Sequence, residues 1–274
     1  MTHNIGFIGG GNMASSLIGG LASKSDKAAS RLWVFEPNAD RSQALVEQFG
    51  INAAQDNAEL IAQTDIVVIA VKPQVLQQVL TPLSEHFNKH KPLIVSVVAG
   101  ITASSIQQWL KGSDLAIARV MPNTPALIGK GACGIYANEY VSQSQRLASE
   151  ELCNAVGISA WVESEADIDS VTALSGSGPA YFMLFIQSLI EAGEAAGLSS
   201  DTAKTLAVQT AAGAAQLIES SDLPVQTLIE NVTSPKGTTE KALESLNNNG
   251  LKSLVSDAFD AAKKRSEELA KELA

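Results

Sequence analysis

A short apolar run over residues 5–9 closes on a glycine-rich turn and passes directly into a helical pattern over residues 12–23, a start that few folds accommodate. Gly9, Gly11 and Ala14 fall in the G-x-G-x-x-A spacing. In that spacing the first glycine permits the tight turn, the second lets a pyrophosphate approach the backbone, and the small third residue lets helix and strand pack closely. The helix N-terminus adds N–H donors and a partial positive charge facing the anion. The same residues out of context are an ordinary glycine-rich turn. With strand, turn and helix in register they point to a dinucleotide.

The alternation continues along the chain. Strand patterns at 31–35, 65–71, 93–98 and 115–121 alternate with helix patterns at 40–49, after Pro73 and after Thr102. Short strands alternating with helices indicate an α/β class, a Rossmann-like doubly wound parallel sheet with right-handed crossovers. Beyond Met121 come a Pro-bounded turn at 122–125, an added strand at 131–137, a helix at 143–156 and a last strand at 158–162. No strand pattern follows residue 163. Helices are expected at 179–196, 199–219, 224–232, 239–247 and 253–273. The chain therefore divides into a dinucleotide-binding domain, 1–163, and an all-helical domain, 164–274. The closing stretch AAKKRSEELAKELA reads as a solvated helix face.

Residues 170–190 carry no charge, a length that invites a transmembrane reading. Ser175, Gly176, Ser177, Gly178 and Pro179 break that run with what reads as a chain reversal, and the remainder falls short of the roughly 20 apolar residues a bilayer requires. A helix apolar on all sides must be buried on all sides, and a second copy of the chain is the expected cover. A formal net charge of −10 argues against a nucleic-acid partner, because phosphate binders carry basic patches. Cys133 and Cys153 form no metal-ligand or redox pattern, and two isolated cysteines in a chain of this size suit a reducing compartment. No signal peptide precedes the first strand pattern, so the expected location is the cytoplasm, with no membrane partner.

Candidate ligand contacts gather beyond the carboxyl ends of strands: Ala70, Val71, Lys72 and Pro73; Ala99 and Gly100; Met121, Pro122 and Asn123. Singly, each has an ordinary role as a turn or helix start. Glu36 ends the second strand, where an acidic side chain accepts hydrogen bonds from ribose hydroxyls and repels a 2′-phosphate. Asn38 and Arg41 lie just beyond it, and an arginine fork can hold that phosphate. None of His3, His86 and His90 is placed to protonate an alkoxide, as ketone reduction requires. An imine can arrive already protonated, leaving orientation and hydride delivery as the main tasks.

The blocks GFIGGGNMA, AVKPQVL, VVAGIT, RVMPNTPA, DIDSVTALSGSGPAY and ENVTSPKGTTEKAL together resemble the pyrroline-5-carboxylate reductase family, in order and over essentially the whole chain. That resemblance implies a Rossmann-like domain and an all-α dimerisation domain that interlocks with its partner. It also implies reduction of 1-pyrroline-5-carboxylate to L-proline, with NADPH the usual donor and NADH also accepted. Homodimers are implied, and the family's decamers are a further assembly. Ile8, Gly9, Gly10, Gly11, Asn12 and Met13 would hold the pyrophosphate, Asn57 and the Ala70–Pro73 turn the adenosine side, and Ala99 and Asn231 further parts of the cofactor. Thr172, Ser175, Ser234, Lys236, Gly237, Thr238 and Thr239 would hold the substrate. Donors near Lys236, Gly237 and Thr238 would take its carboxylate, and Thr239 would face the ring nitrogen. Lys236 stands where glycine is commoner, and a shift around Asp222 and Pro224 leaves Asp222 without a role. On spacing alone, SPKGTT is also an ordinary helix start. The rival functions are reduction of another cyclic imine or a keto acid, and dinucleotide sensing without turnover.

Overall fold

The computed structural model describes residues 3–24 and 27–273. They form two compact units, Met1–Ser177 with Ala262–Ala274, and Gly178–Ala261.

The first unit is built on eight strands: β1 (Ile5–Ile8), β2 (Leu32–Phe35), β3 (Asn52–Ala53), β4 (Ile66–Ile69), β5 (Leu93–Ser96), β6 (Ile117–Met121), β7 (Gly131–Ala137) and β8 (Gly157–Trp161). They lie in one sheet in the order β3-β2-β1-β4-β5-β6-β7-β8. The central strands read IGFI, IVVI and LIVS and are buried at every position, as expected of parallel strands covered on both faces. One core cluster packs α1 (Asn12–Ala22) and α7 (Gln143–Cys153) on one face. The other packs α3 (Asn57–Gln63), α4 (Pro73–Leu80), α5 (Ser84–His90) and α6 (Ala103–Trp109) on the opposite face. This is the doubly wound arrangement, with one departure from an all-parallel sheet. β7 runs antiparallel to β6 before β8 restores parallel pairing.

The helix α2 (Ala39–Phe49) starts where Asn38 accepts the Arg41 N–H at 2.9 Å and stops at Gly50 in the left-handed conformation. The sequence patterns omitted β3, α3 and α5. A signal for α3 was present: Asp56 accepts the Glu59 N–H at 2.8 Å, and Glu59 in return accepts the Gln55 N–H at 2.6 Å, a reciprocal cap written as D-x-x-E.

Three other expectations are corrected. The chain does not reverse at 175–179. After α8 (Asp167–Val171) a π-helical turn, Thr172–Gly176, leads through Ser177, itself right-handed, into α9 (Gly178–Ala195). The helical run Asp167–Ala195 is therefore 29 residues with a mean hydropathy of 1.2, long and apolar enough by length and composition to cross a membrane. The closing stretch is not merely a solvated face. Ser266, on α13 (Leu251–Glu272), is buried and donates to Asp169 at 2.6 Å, and Leu273 packs on the second core cluster. Cys133 and Cys153 are not isolated in space. Both are buried, and the hydrogen bond between the thiols lowers the Cys133 pKa and, together with burial, raises that of Cys153.

The second unit contains α9, α10 (Ser200–Glu219), α11 (Val225–Asn231), α12 (Thr238–Asn248) and the first half of α13, with no strand among its described residues. Gly193 lets α9 approach Ala203 of α10. Its large apolar side chains are mostly uncovered: Phe182 is 74% exposed and Leu184 68%, with Met183, Phe185 and Leu206 also exposed. Apolar surface on this scale marks an interaction face.

Helix α1 makes a close approach to the segment before β8. A Cβ on Gly20 would lie 2.4 Å from the Ala155 carbonyl oxygen and 2.7 Å from Val156 Cγ1. Alanine is the better helix former by about 1 kcal/mol, but overpacking a backbone contact costs about 1–3 kcal/mol. Gly20→Ala is therefore expected to destabilise the fold, read as a lower denaturation midpoint. An unchanged or raised midpoint would mean that α1 can move away.

Candidate active site

β1 ends at Ile8, and the next three residues each lack a side chain for a different reason. Gly9 has φ +97, and a Cβ there would sit 2.8 Å from the Ala70 carbonyl oxygen. At Gly10 a Cβ would meet Leu45 Cδ1 at 2.7 Å and Glu36 Cβ at 3.1 Å. Around Gly11 there is open space, with nothing within 4 Å of a Cβ. Gly11 is the N-cap of α1 and supplies no side-chain cap, and the first backbone bond of the helix is Ser15 N–H to Gly11 at 2.9 Å. The N–H groups of Asn12, Met13 and Ala14 are thus left open at the positive end of a helix. An anion fits this position, and a side chain would obstruct it.

β1, β4, β5 and β6 run parallel in direct register, so their carboxyl ends share one edge of the sheet. Ala70 and Val71 follow β4, Lys72 is the N-cap of α4, and Pro73 takes its first position. Ala99 and Gly100 follow β5. Gly100 has φ +73 and packs under Leu269 and Leu273. Met121 ends β6, and Pro122 and Asn123 behind it are buried. The Asn123 amide is engaged at both ends, accepting from Ala132 N–H at 2.9 Å and donating to the Ser175 carbonyl at 3.0 Å. Its role here is to tie the end of β6 to β7 and the π turn. Asn57 opens α3, and its Oδ1 is buried with no hydrogen-bond partner, which leaves an acceptor for a ligand donor.

Sequence reasoning missed Arg119 and Glu165. Arg119 sits on β6 with its side chain only 7% exposed and donates to Glu165 Oε1 at 3.0 Å. The same oxygen accepts the Ala103 N–H at 2.6 Å, at the first residue of α6. One carboxylate therefore fixes both the end of β6 and the start of the helix beyond the Ala99–Gly100 loop. An arginine inside the apolar strand LAIARV was the available signal.

In the second unit, Ser234–Gly237 lead into α12. Lys236 has φ +60, a conformation glycine adopts more easily. Its N–H is bound by the Glu240 carboxylate, and the Gly237 N–H donates to the Ser234 carbonyl at 2.9 Å. Two of the three donors expected to face a carboxylate are thus engaged within the loop. The N–H groups of Thr238, Thr239 and Glu240 precede the first bond of the helix, Lys241 N–H to Gly237. Among the described residues the hydroxyls of Ser234, Thr238 and Thr239 have no partner. Asn231 is the exposed last residue of α11. Thr172 and Ser175 belong to the π turn of the first unit, where their hydroxyls donate to the Ile168 and Val171 carbonyls.

Comparison with known proteins decides the family. Residues 165–269 match the pyrroline-5-carboxylate reductase dimerisation domain, and residues 4–100 match the domain described as NADP oxidoreductase coenzyme F420-dependent. A pyrroline-5-carboxylate reductase of Pseudomonas aeruginosa is 47% identical over 99% of this chain and 98% of its own. The chain belongs to the pyrroline-5-carboxylate reductase family. Among solved structures, a pyrroline-5-carboxylate reductase from Coxiella burnetii is 40% identical with a TM-score of 0.95, covering 98% of this chain and 99% of that one. The enzyme from Plasmodium falciparum, solved with NADP bound, is 34% identical with a TM-score of 0.85 and covers 98% of each chain. The likeness to this reductase family therefore extends over both units.

Removing Glu165 leaves Arg119 buried without its carboxylate and α6 without an acceptor at its first N–H. Breaking such a pair on one side costs about 3–5 kcal/mol when fully buried, and less here because Glu165 is partly exposed. Glu165→Ala is expected to lower stability in chemical denaturation by about 2–4 kcal/mol, whereas an effect under about 1 kcal/mol would reduce the pair to a surface contact.

Proposed function

We propose that this chain is an NAD(P)H-dependent pyrroline-5-carboxylate reductase, reducing the C=N bond of 1-pyrroline-5-carboxylate to give L-proline. The observation that carries this reading is the 47% identity to a pyrroline-5-carboxylate reductase across both units. We divide the chain functionally at 163/164, a reading supported by the end of the last strand at Trp161 and the start of the dimerisation match at 165.

When bound, the reduced nicotinamide supplies the hydride. In this chain Ile8, Gly9, Gly10, Gly11, Asn12 and Met13 would form the turn around the pyrophosphate, with the N–H groups of Asn12, Met13 and Ala14 as its open donors, and Asn57 would receive a donor from the adenosine side. The turns Ala70–Pro73, Ala99–Gly100 and Met121–Asn123 would shape the rest of the dinucleotide site. Ser234, Lys236, Gly237, Thr238 and Thr239 would hold the substrate. The N–H groups of Thr238, Thr239 and Glu240 suit its carboxylate, and the Thr239 hydroxyl suits the ring nitrogen. A threonine hydroxyl is too weak an acid to protonate the imine by itself, so its contribution is orientation, keeping the imine carbon within about 3–3.5 Å of the hydride donor.

The second unit would act as a self-association surface, with a second copy covering Phe182, Met183 and Leu184 in a homodimer that can assemble further. The apolar run Asp167–Ala195 is read as this protein interface and not as a membrane span. The acidic balance supports the absence of a nucleic-acid partner, and a biosynthetic role of this kind suits the cytoplasm.

Oxidation of reduced nicotinamide on adding 1-pyrroline-5-carboxylate, followed by absorbance, tests the activity. Turnover of a keto acid in its place would assign a different substrate, and binding without turnover a sensor. Thr239→Ala is expected to lower turnover by about tenfold to a hundredfold with cofactor affinity unchanged, the scale of about 1.4–2.7 kcal/mol in the barrier. Weakened cofactor binding with full turnover would move this loop to the other ligand. Light scattering at micromolar concentration is expected to give at least a dimer, and a monomer would overturn the interface.

A further inference from the structure

Resting on the reading of the first unit as a dinucleotide site, we infer that Glu36 makes this enzyme select NAD(H) over NADP(H), against the family's usual donor. Glu36 follows β2, whose last residue is paired with Ile8, so it stands beside the glycine turn. Its carboxylate is held in place. Oε2 accepts the Gly10 N–H at 2.8 Å, and Oε1 accepts the Asn38 N–H at 3.1 Å. The absence of a side chain at Gly10 is what admits the Glu36 stem, since a Cβ there would lie 3.1 and 3.3 Å from Glu36 Cβ and Cγ. A freely rotating glutamate could swing away from an incoming phosphate. This one would first have to give up two backbone hydrogen bonds.

The groups that could welcome a 2′-phosphate are weak by comparison. The cavity of about 520 Å³ beside Glu36 is lined by Pro37, Ala39, Ser42, Gln43 and Gln55 among others, with no lysine or arginine. Asn38 spends its Oδ1 on capping α2 through the Arg41 N–H. Arg41 is exposed and has no side-chain partner among the described residues, and the acidic Asp40 precedes it in the same helical turn. A dianionic phosphate next to an anchored carboxylate is opposed by like charge, whereas ribose hydroxyls can donate to the lone pairs that Glu36 retains.

Isothermal titration calorimetry with NAD+ and NADP+ tests this without turnover. The unaltered enzyme is expected to bind NAD+ at least about tenfold more tightly than NADP+, the effect of one repelled charge in a partly screened site. Glu36→Gln keeps an oxygen for the Gly10 N–H but removes the charge, and is expected to close most of that gap by strengthening NADP+. Arg41→Ala is expected to leave the ratio within about twofold, well under the tenfold of a contact worth about 1.4 kcal/mol. Equal or tighter binding of NADP+ by the unaltered enzyme overturns the inference, whether or not the variants fold. A tenfold loss of NADP+ alone in Arg41→Ala overturns it too. Binding of neither dinucleotide overturns the site together with the inference, while NAD+ selectivity without imine turnover leaves the inference standing and removes the proposed substrate.

Discussion

The unfilled N-terminus of α1 is the constraint on which the first unit is organised. Three backbone N–H groups emerge there with no side chain to receive them, and Gly9 and Gly10 are held so closely by Ala70, Leu45 and Glu36 that the turn has little room to move. Five other helices are capped by side chains of the protein: Asn38 at α2, Asp56 at α3, Thr102 at α6, Ser142 at α7 and Ser199 at α10. Helices α4, α5, α8, α11 and α12 also begin without a side-chain cap, so a missing cap alone does not mark a ligand. At α1 the missing cap coincides with open space around Gly11 and with strand ends converging on one edge, and that combination does.

Polar groups around this edge fall into two kinds. Arg119, Glu165 and Asn123 are satisfied within the protein and hold strand ends and helix starts in register. Asn57 Oδ1 is buried without a partner. Buried polar atoms are rarely left without a hydrogen bond, so the second kind is where ligand chemistry is to be sought. Glu36 belongs to both, since its backbone bonds fix its position and its charge remains available to select among ligands.

The second unit answers to a different pressure. Among its described side chains, only Gly178 of α9 and Ala203 of α10 are fully buried, while the aromatic and aliphatic residues of α9 lie open. The π turn at Thr172–Gly176 keeps the helix running through a segment whose Ser, Gly and Pro content suggests a break. Pro179 has no N–H for the Ser175 carbonyl one turn back, and the Asn123 amide donates to that carbonyl at 3.0 Å in its place.

From the sequence alone, periodicity and turn chemistry determined the alternating strands and helices of the first unit, the glycine turn, the absence of strand patterns after residue 163 and the family. These are local properties, set by side-chain spacing and by backbone positions that only glycine or proline fill comfortably. Tertiary structure alone decided the antiparallel pairing of β7 with β6, the continuity of Asp167–Ala195, the return of the closing helix to the first unit and the pairing of Cys133 with Cys153. It also decided which donors are free. The family resemblance makes Lys236 and Gly237 carboxylate ligands, but their N–H groups are bound by Glu240 and Ser234, and the Asn123 amide serves β7 and the π turn. A residue's type states what bonds it can make. Only the packing of distant segments states which of those bonds are already made.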